Sequence, residues 1–124
     1  MILVTGAAGF IGSNLMAALD RRDGKEIAVC DRMRDGDKWR NLAKREIAHI
    51  VAPEDLFNFL DDHIGGVEQV FHMGAISSTT EPNADLIVDV NFRLSVRLWQ
   101  WCSEQQVPLI YASSAATYGG GEQG

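Results

Sequence analysis

The sequence predicts an α/β protein, a doubly wound parallel sheet with helices packed on both faces. Three features carry that expectation. Short apolar runs alternate with helical stripes from the first residue, a glycine-spaced turn joins the first run to the first stripe, and an acid closes the second run. Strands linked by helical crossovers run parallel, because a tight hairpin reverses the chain. At 124 residues the chain suffices for one domain with a real core and is too short for two of ordinary size.

Each element has its own signal. "MILVT" is a short apolar run ended by Gly6 and reads as a buried strand. From about Phe10 to Arg21, apolar groups at Phe10, Ile11, Leu15, Met16 and Leu19 form a helical stripe. "EIAVCD" is a second buried strand ending at Asp31. Residues 32–45 are polar, with room for a short helix around Trp39 to Leu42. "EIAHIV" reads as a third strand, and "PEDLFNFLDDH" as a helix opened by Pro53. "VEQVFHM" is a fourth strand, a long helix runs from about Pro82-Asn83 to about Gln105, and "VPLIYAS" is a fifth strand.

Composition narrows the function classes. Hydrophobic residues make up 46% and charged residues 23%, the balance of a water-soluble globular protein. A net charge of −6 and a pI near 4.9 argue against nucleic acid as a partner. No apolar run approaches the length that crosses a bilayer. A strand-like start at Met1-Ile2-Leu3-Val4 leaves no room for a signal peptide, so a cytoplasmic location is expected. Cys30 and Cys102 have no metal-ligand spacing and read as reduced, packed thiols.

"VTGAAGFIG" sets Gly6, Gly9 and Gly12 between the first strand and the first helix. Gly6 permits the sharp turn, Gly9 lets backbone approach a pyrophosphate, and Gly12 lets the helix sit close to the sheet. The helix start then offers unpaired N–H groups to phosphates. Asp31 stands roughly twenty residues on, where a carboxylate meets an adenosine ribose. Together these make a Rossmann-like dinucleotide site. Asp31 favours NAD, whereas Arg32 and Lys38 just after it favour the extra phosphate of NADP. NADP is the expected cofactor, with NAD the alternative.

The Gly6-x-x-Gly9-x-x-Gly12 spacing resembles the extended short-chain dehydrogenase/reductases, a family of nucleotide-sugar enzymes. "FIGSN", "GAISSTTE" at 74–81 and "YASSAATYGG" at 111–120 are similar to the ADP-heptose 6-epimerases within it, whose product enters lipopolysaccharide. The resemblance implies that Phe10 and Ile11 lie against the cofactor, and that Asp31, Arg32 and Lys38 surround its adenosine ribose and phosphate. It also implies that Gly74, Ala75 and Ser77 run beside the cofactor and that Ser114 is the catalytic hydroxyl. Asn91 matches a general family asparagine, although the heptose epimerases' own cofactor asparagine falls at Val90. The chain departs from those epimerases at Arg32, where they carry Asn, at Pro53, where they carry Lys, and at Met73, where they carry Glu.

The family also implies a tyrosine base with its pKa lowered by a lysine, because a phenol titrating near pH 10 needs a neighbouring cation to work at neutrality. The pair comes as Tyr-x-x-x-Lys on one helix face. Tyr111 is followed four residues later by Ala115, and Tyr118 by Glu122, so the motif is absent here. Residues 1–124 are therefore expected to be an NAD(P)-binding domain cut before that motif, with about five strands of an unfinished sheet and no C-terminal substrate domain. Alone it is expected to bind a dinucleotide weakly or not at all and to be inactive. The implied reaction of the whole enzyme is transient oxidation and re-reduction at the heptose C6, with ADP-heptose as substrate and a homo-oligomer as the working form. Ala115 and Ala116 after Ser114 disfavour dehydration, since that chemistry needs an Asp-Glu pair there. A UDP-sugar 4-epimerase, a sugar reductase and a non-catalytic NAD(P)-binding module remain open.

Other residues have plainer readings. Ser77 to Glu81 can cap the long helix, contact nicotinamide and sugar, or do both. His72 reads as a packed or hydrogen-bonded core histidine, and His49 and His63 show no ligand partners. Leu86, Val90, Leu94, Leu98 and Trp101 make one stripe of the long helix, whereas Phe92, Val96 and Trp99 add apolar area elsewhere, available for subunit association.

Overall fold

The structure is a computed structural model that describes residues 1–7, 10–19, 25–31, 46–73 and 84–112, with backbone alone at Phe10, Ile11 and 84–90. In chain order the elements are β1 (Ile2–Thr5), α1 (Phe10–Leu19), β2 (Ile27–Cys30), β3 (His49–Val51), α2 (Leu56–Asp62), β4 (Gln69–His72), α3 (Ala84–Gln105) and β5 (Leu109–Tyr111). They form one five-stranded sheet in the order β3-β2-β1-β4-β5. Every neighbouring pair is parallel, as the alternation of runs and stripes predicts. The chain winds outward from β1 to β3, then crosses back to β4 and β5. The winding direction thus reverses between β1 and β4, the place where open α/β sheets bind ligands.

Alternation along the strands sorts the core into two layers. Ile2, Val4, Ile27, Val29 and Phe71 pack with Met16 and Leu19 of α1 on one face. Leu3, Ala28, Cys30 and Val70 pack on the other with Leu56 and Leu60 of α2 and Leu98, Trp101 and Cys102 of α3. Both faces of β1 and β2 are covered, which is why their sequences read as unbroken apolar runs. Burying each such aliphatic side chain contributes roughly 1.5–3 kcal/mol.

Three elements are shorter than their sequence signals. The third strand pairs only at His49–Val51, because it lies at the sheet edge, where Ile50 is 62% exposed. The helix expected from Pro53 opens as a 3₁₀ turn over Pro53–Asp55 before α2, and no side-chain cap closes either start. The fifth strand narrows to Leu109–Tyr111, bonded to β4 on one side, with Ile110 and Tyr111 exposed. The short helix expected around Trp39 to Leu42 lies outside the described residues.

The C-terminus of α3 is set by a left-handed residue. Gln106 has φ of 56°, and Val107 N–H donates to the Cys102 carbonyl at 2.8 Å. That pattern closes a helix and is usually built on glycine.

Candidate functional site

The carboxyl ends of the strands form the candidate site. Each strand extends its ladder by one further bond at this edge. Gly6 N–H donates to the Cys30 carbonyl (2.9 Å), Asp31 N–H to Val51 (3.3 Å), Met73 N–H to Thr5 (3.1 Å) and Ala112 N–H to His72 (3.0 Å). Asp31, Gly6, Met73 and Ala112 therefore follow one another along the edge.

Gly6 and Gly12 shape the turn between β1 and α1. Gly6 has φ of 69°, a left-handed conformation that glycine takes without steric cost. A β-carbon on Gly12 would sit 2.1 Å from the Gly6 carbonyl oxygen and 2.8 Å from the Ala7 α-carbon. Only glycine lets α1 begin this close to the sheet. The N-terminus of α1 is brought to the carboxyl edge, and the positive end of a helix favours anions there. Beside it the Asp31 side chain is buried at 6% exposure, a carboxylate at the end of β2.

A polar group sits where the winding direction reverses. Thr5 and His72 are register partners across β1 and β4, on the face shared with Leu3 and Val70. The Thr5 hydroxyl bonds His72 Nδ1 at 2.5 Å, and His72 Nε2 bonds the Ser95 hydroxyl of α3 at 3.0 Å. Burial pushes the His72 ring below the ordinary histidine range, because charge is disfavoured away from water. The Tyr111 ring stacks over it with centroids 6.2 Å apart. One turn before Ser95, Asn91 Oδ1 is buried without a hydrogen-bond partner among the described residues.

Of the residues expected from sequence, Gly6, Phe10, Ile11, Gly12 and Asp31 come together at this edge, and Asn91 lies on α3 beside the Ser95–His72 bond. Gly9, Arg32, Lys38, Gly74, Ala75, Ser77 and Ser114 lie outside the described residues. His72 is the hydrogen-bonded core histidine that its position suggests. Its partners Thr5 and Ser95 were not expected; strand parity gives the first, while nothing in the sequence singles out the second. His49 and His63 pack with Phe59 as an aromatic cluster, the His63 Nδ1–H donating to the Phe59 carbonyl at 2.7 Å. Among the described residues no three His, Cys, Asp or Glu side chains gather into a metal site. Cys30 and Cys102 are buried and outside any disulfide, and burial pushes the Cys102 thiol up to about 11.

Residues 2–124 match the NAD dependent epimerase/dehydratase family. The chain belongs to that family. It is similar to the ADP-L-glycero-D-manno-heptose-6-epimerase of Fusobacterium nucleatum, at 44% identity over all of this chain and 38% of that protein. Among solved structures it is similar to the Helicobacter pylori ADP-L-glycero-D-manno-heptose-6-epimerase, at 31% identity and a TM-score of 0.76, over 95% of this chain and 40% of that one. A second is the Bacillus cereus UDP-glucuronic acid 4-epimerase in complex with UDP-glucuronic acid and NAD, at 27% identity and a TM-score of 0.71, over 95% of this chain and 41% of that one. The chain thus spans about two-fifths of the length of these proteins. No described helix is long and apolar enough to cross a membrane.

Proposed function

We propose that residues 1–124 are the nicotinamide-dinucleotide-binding part of a nucleotide-sugar epimerase, acting on ADP-heptose at C6. The observation that carries this reading is the seating of Gly12 on the Gly6 carbonyl, which brings the start of α1 to the strand ends beside a buried carboxylate. The residues present fit such a cofactor. Backbone N–H groups at the start of α1 hold the pyrophosphate, with Phe10 and Ile11 against it. Asp31 takes the adenosine ribose, and Arg32 and Lys38 take the 2′-phosphate of NADP. The orphaned Asn91 carboxamide oxygen is an acceptor for a cofactor hydroxyl or amide, and Gly74, Ala75 and Ser77 run alongside.

A bound nicotinamide supplies reversible hydride acceptance, the chemistry that epimerisation through transient oxidation needs. Ser114 holds the reacting sugar hydroxyl by a hydrogen bond. The tyrosine base and its lysine are not among these 124 residues. Support for heptose as substrate comes from the Fusobacterium and Helicobacter relatives. The whole enzyme is proposed to be cytoplasmic and homo-oligomeric, with exposed Phe92, Val96 and Trp99 of α3 as contact surface.

NAD is the competing cofactor, favoured by the Asp31 carboxylate and by the NAD of the Bacillus cereus enzyme. Equilibrium titration of both coenzymes decides between them. NADP is expected to bind the tighter, by about tenfold, or about 1.4 kcal/mol. Arg32→Ala should erase that preference. Tighter NAD binding overturns NADP, and an NADP preference unmoved by Arg32→Ala overturns the role given to Arg32.

A further inference from the structure

We infer that His72 is a positioning residue, fixing α3 against the carboxyl ends of β1 and β4 and so holding the Asn91 carboxamide at the dinucleotide site. The inference rests on the cofactor reading above and adds a role for three residues that reading leaves unused: Thr5, His72 and Ser95.

Among the described side chains of α3, four apolar ones reach the core layer beside the sheet. Leu98, Trp101 and Cys102 are buried in the core layer, and Leu94 packs against it. Apolar packing is non-directional and by itself sets the rotation of a helix only loosely. Ser95 adds a directional contact, through its bond to His72. Asn91 is four residues earlier, about 6 Å along the axis and on nearly the same side of the helix. A small rotation at Ser95 therefore moves the Asn91 side chain directly.

His72 suits this role because both of its nitrogens are engaged. Thr5 and His72 are cross-strand partners, so the ring is fixed to two strands before it reaches the helix. A hydroxyl can donate or accept, so a neutral imidazole is satisfied at both ends, one nitrogen donating and the other accepting. Burial favours that neutral form. A histidine serving the core alone has no need to hold a helix residue one turn from an unpaired buried acceptor. That acceptor, Asn91 Oδ1, costs stability while it is unpaired.

The test compares Ser95→Ala, which removes only the helix bond, with His72→Gln, which keeps a polar atom within reach of Ser95, and His72→Phe, which removes both bonds. Three readouts are taken on the 124-residue chain: the urea midpoint, NADP and NAD affinity, and the NMR resonances of the Asn91 side-chain amide. Ser95→Ala should lower the midpoint modestly, as loss of one part-buried hydrogen bond does, and in addition shift the Asn91 amide resonances and weaken coenzyme binding about three- to tenfold. His72→Phe should do the same or worse, and His72→Gln should recover part of the affinity. Should Ser95→Ala leave both the Asn91 resonances and the affinity as they were, His72 is a structural residue only and the inference falls. A parent chain that binds neither coenzyme sinks the cofactor reading and this inference together, whereas normal binding with indifferent variants sinks this inference alone.

Discussion

A β-carbon placed on Gly12 would sit 2.1 Å from the Gly6 carbonyl oxygen, so the first turn of α1 rests directly on the backbone that ends β1. No side chain longer than hydrogen fits between them. Gly12→Ala must push α1 away from the sheet or break the turn. The expected cost is at least about 1–3 kcal/mol, the usual range for overpacking. Urea unfolding checks it, and an unchanged midpoint would show that the contact is looser than described.

Two neighbouring residues of α3 should respond in opposite ways. Leu98 is fully buried in the core layer that also holds Leu56 and Leu60, whereas Trp99 is 61% exposed. Leu98→Ala should cost about 2–5 kcal/mol through lost burial and the cavity left behind. Trp99→Ala should stay within about 0.5 kcal/mol, as exposed changes do. Chemical denaturation of both variants measures the contrast; equal losses would contradict the assigned faces.

Gln106 closes α3 with φ of 56°, where a side chain is strained. Left-handed backbone costs an ordinary residue roughly 1–2 kcal/mol. Glycine avoids that cost but gives up about 0.5–1 kcal/mol to the freedom it gains in the unfolded chain. Gln106→Gly should therefore stabilise by up to about 1 kcal/mol, read as a higher melting temperature. A lower one would mean that the Gln106 side chain contributes more than its backbone strain removes.

The fold was legible because both faces of β1 and β2 are buried. Their sequences are unbroken apolar runs that no surface strand needs, and Gly6 and Asp31 mark where those strands stop. Edge strands lack that pressure. The β3 run "EIAHIV" looks like a full strand, yet its register with β2 holds only at His49–Val51, with one further bond from Ala48 N–H to the Ile27 carbonyl. The Thr5–His72–Ser95 link was hidden for another reason. It joins residues 67 and 23 positions apart, and hydroxyls carry no periodic signal. Asn91 was named from family likeness alone; its buried, unpaired oxygen is a tertiary fact that local sequence does not encode.

His72 makes stability depend on pH with a definite sign. Its ring is held below the unfolded value of 6.5 by burial. As pH falls through about 6.5, the unfolded chain takes up the proton before the folded one does, so unfolding gains ground. Stability should be insensitive to this group above about pH 7 and decline from about pH 6.5 downward, until the folded ring also protonates. Urea midpoints from pH 8 to 5 should show that decline, and His72→Gln should flatten it. Identical slopes in both proteins would assign the effect elsewhere.

The central claim is that the carboxyl edge of this sheet binds a nicotinamide dinucleotide, and NMR titration of the isotope-labelled chain with NADP and NAD tests it most directly. Amide resonances of Gly6, Ala7, Gly12, Asp31 and Met73 should move saturably, while those of Glu26, Gly66 and Glu68 at the opposite edge stay fixed. No movement at millimolar coenzyme, or movement centred on Glu26, Gly66 and Glu68, would contradict the account.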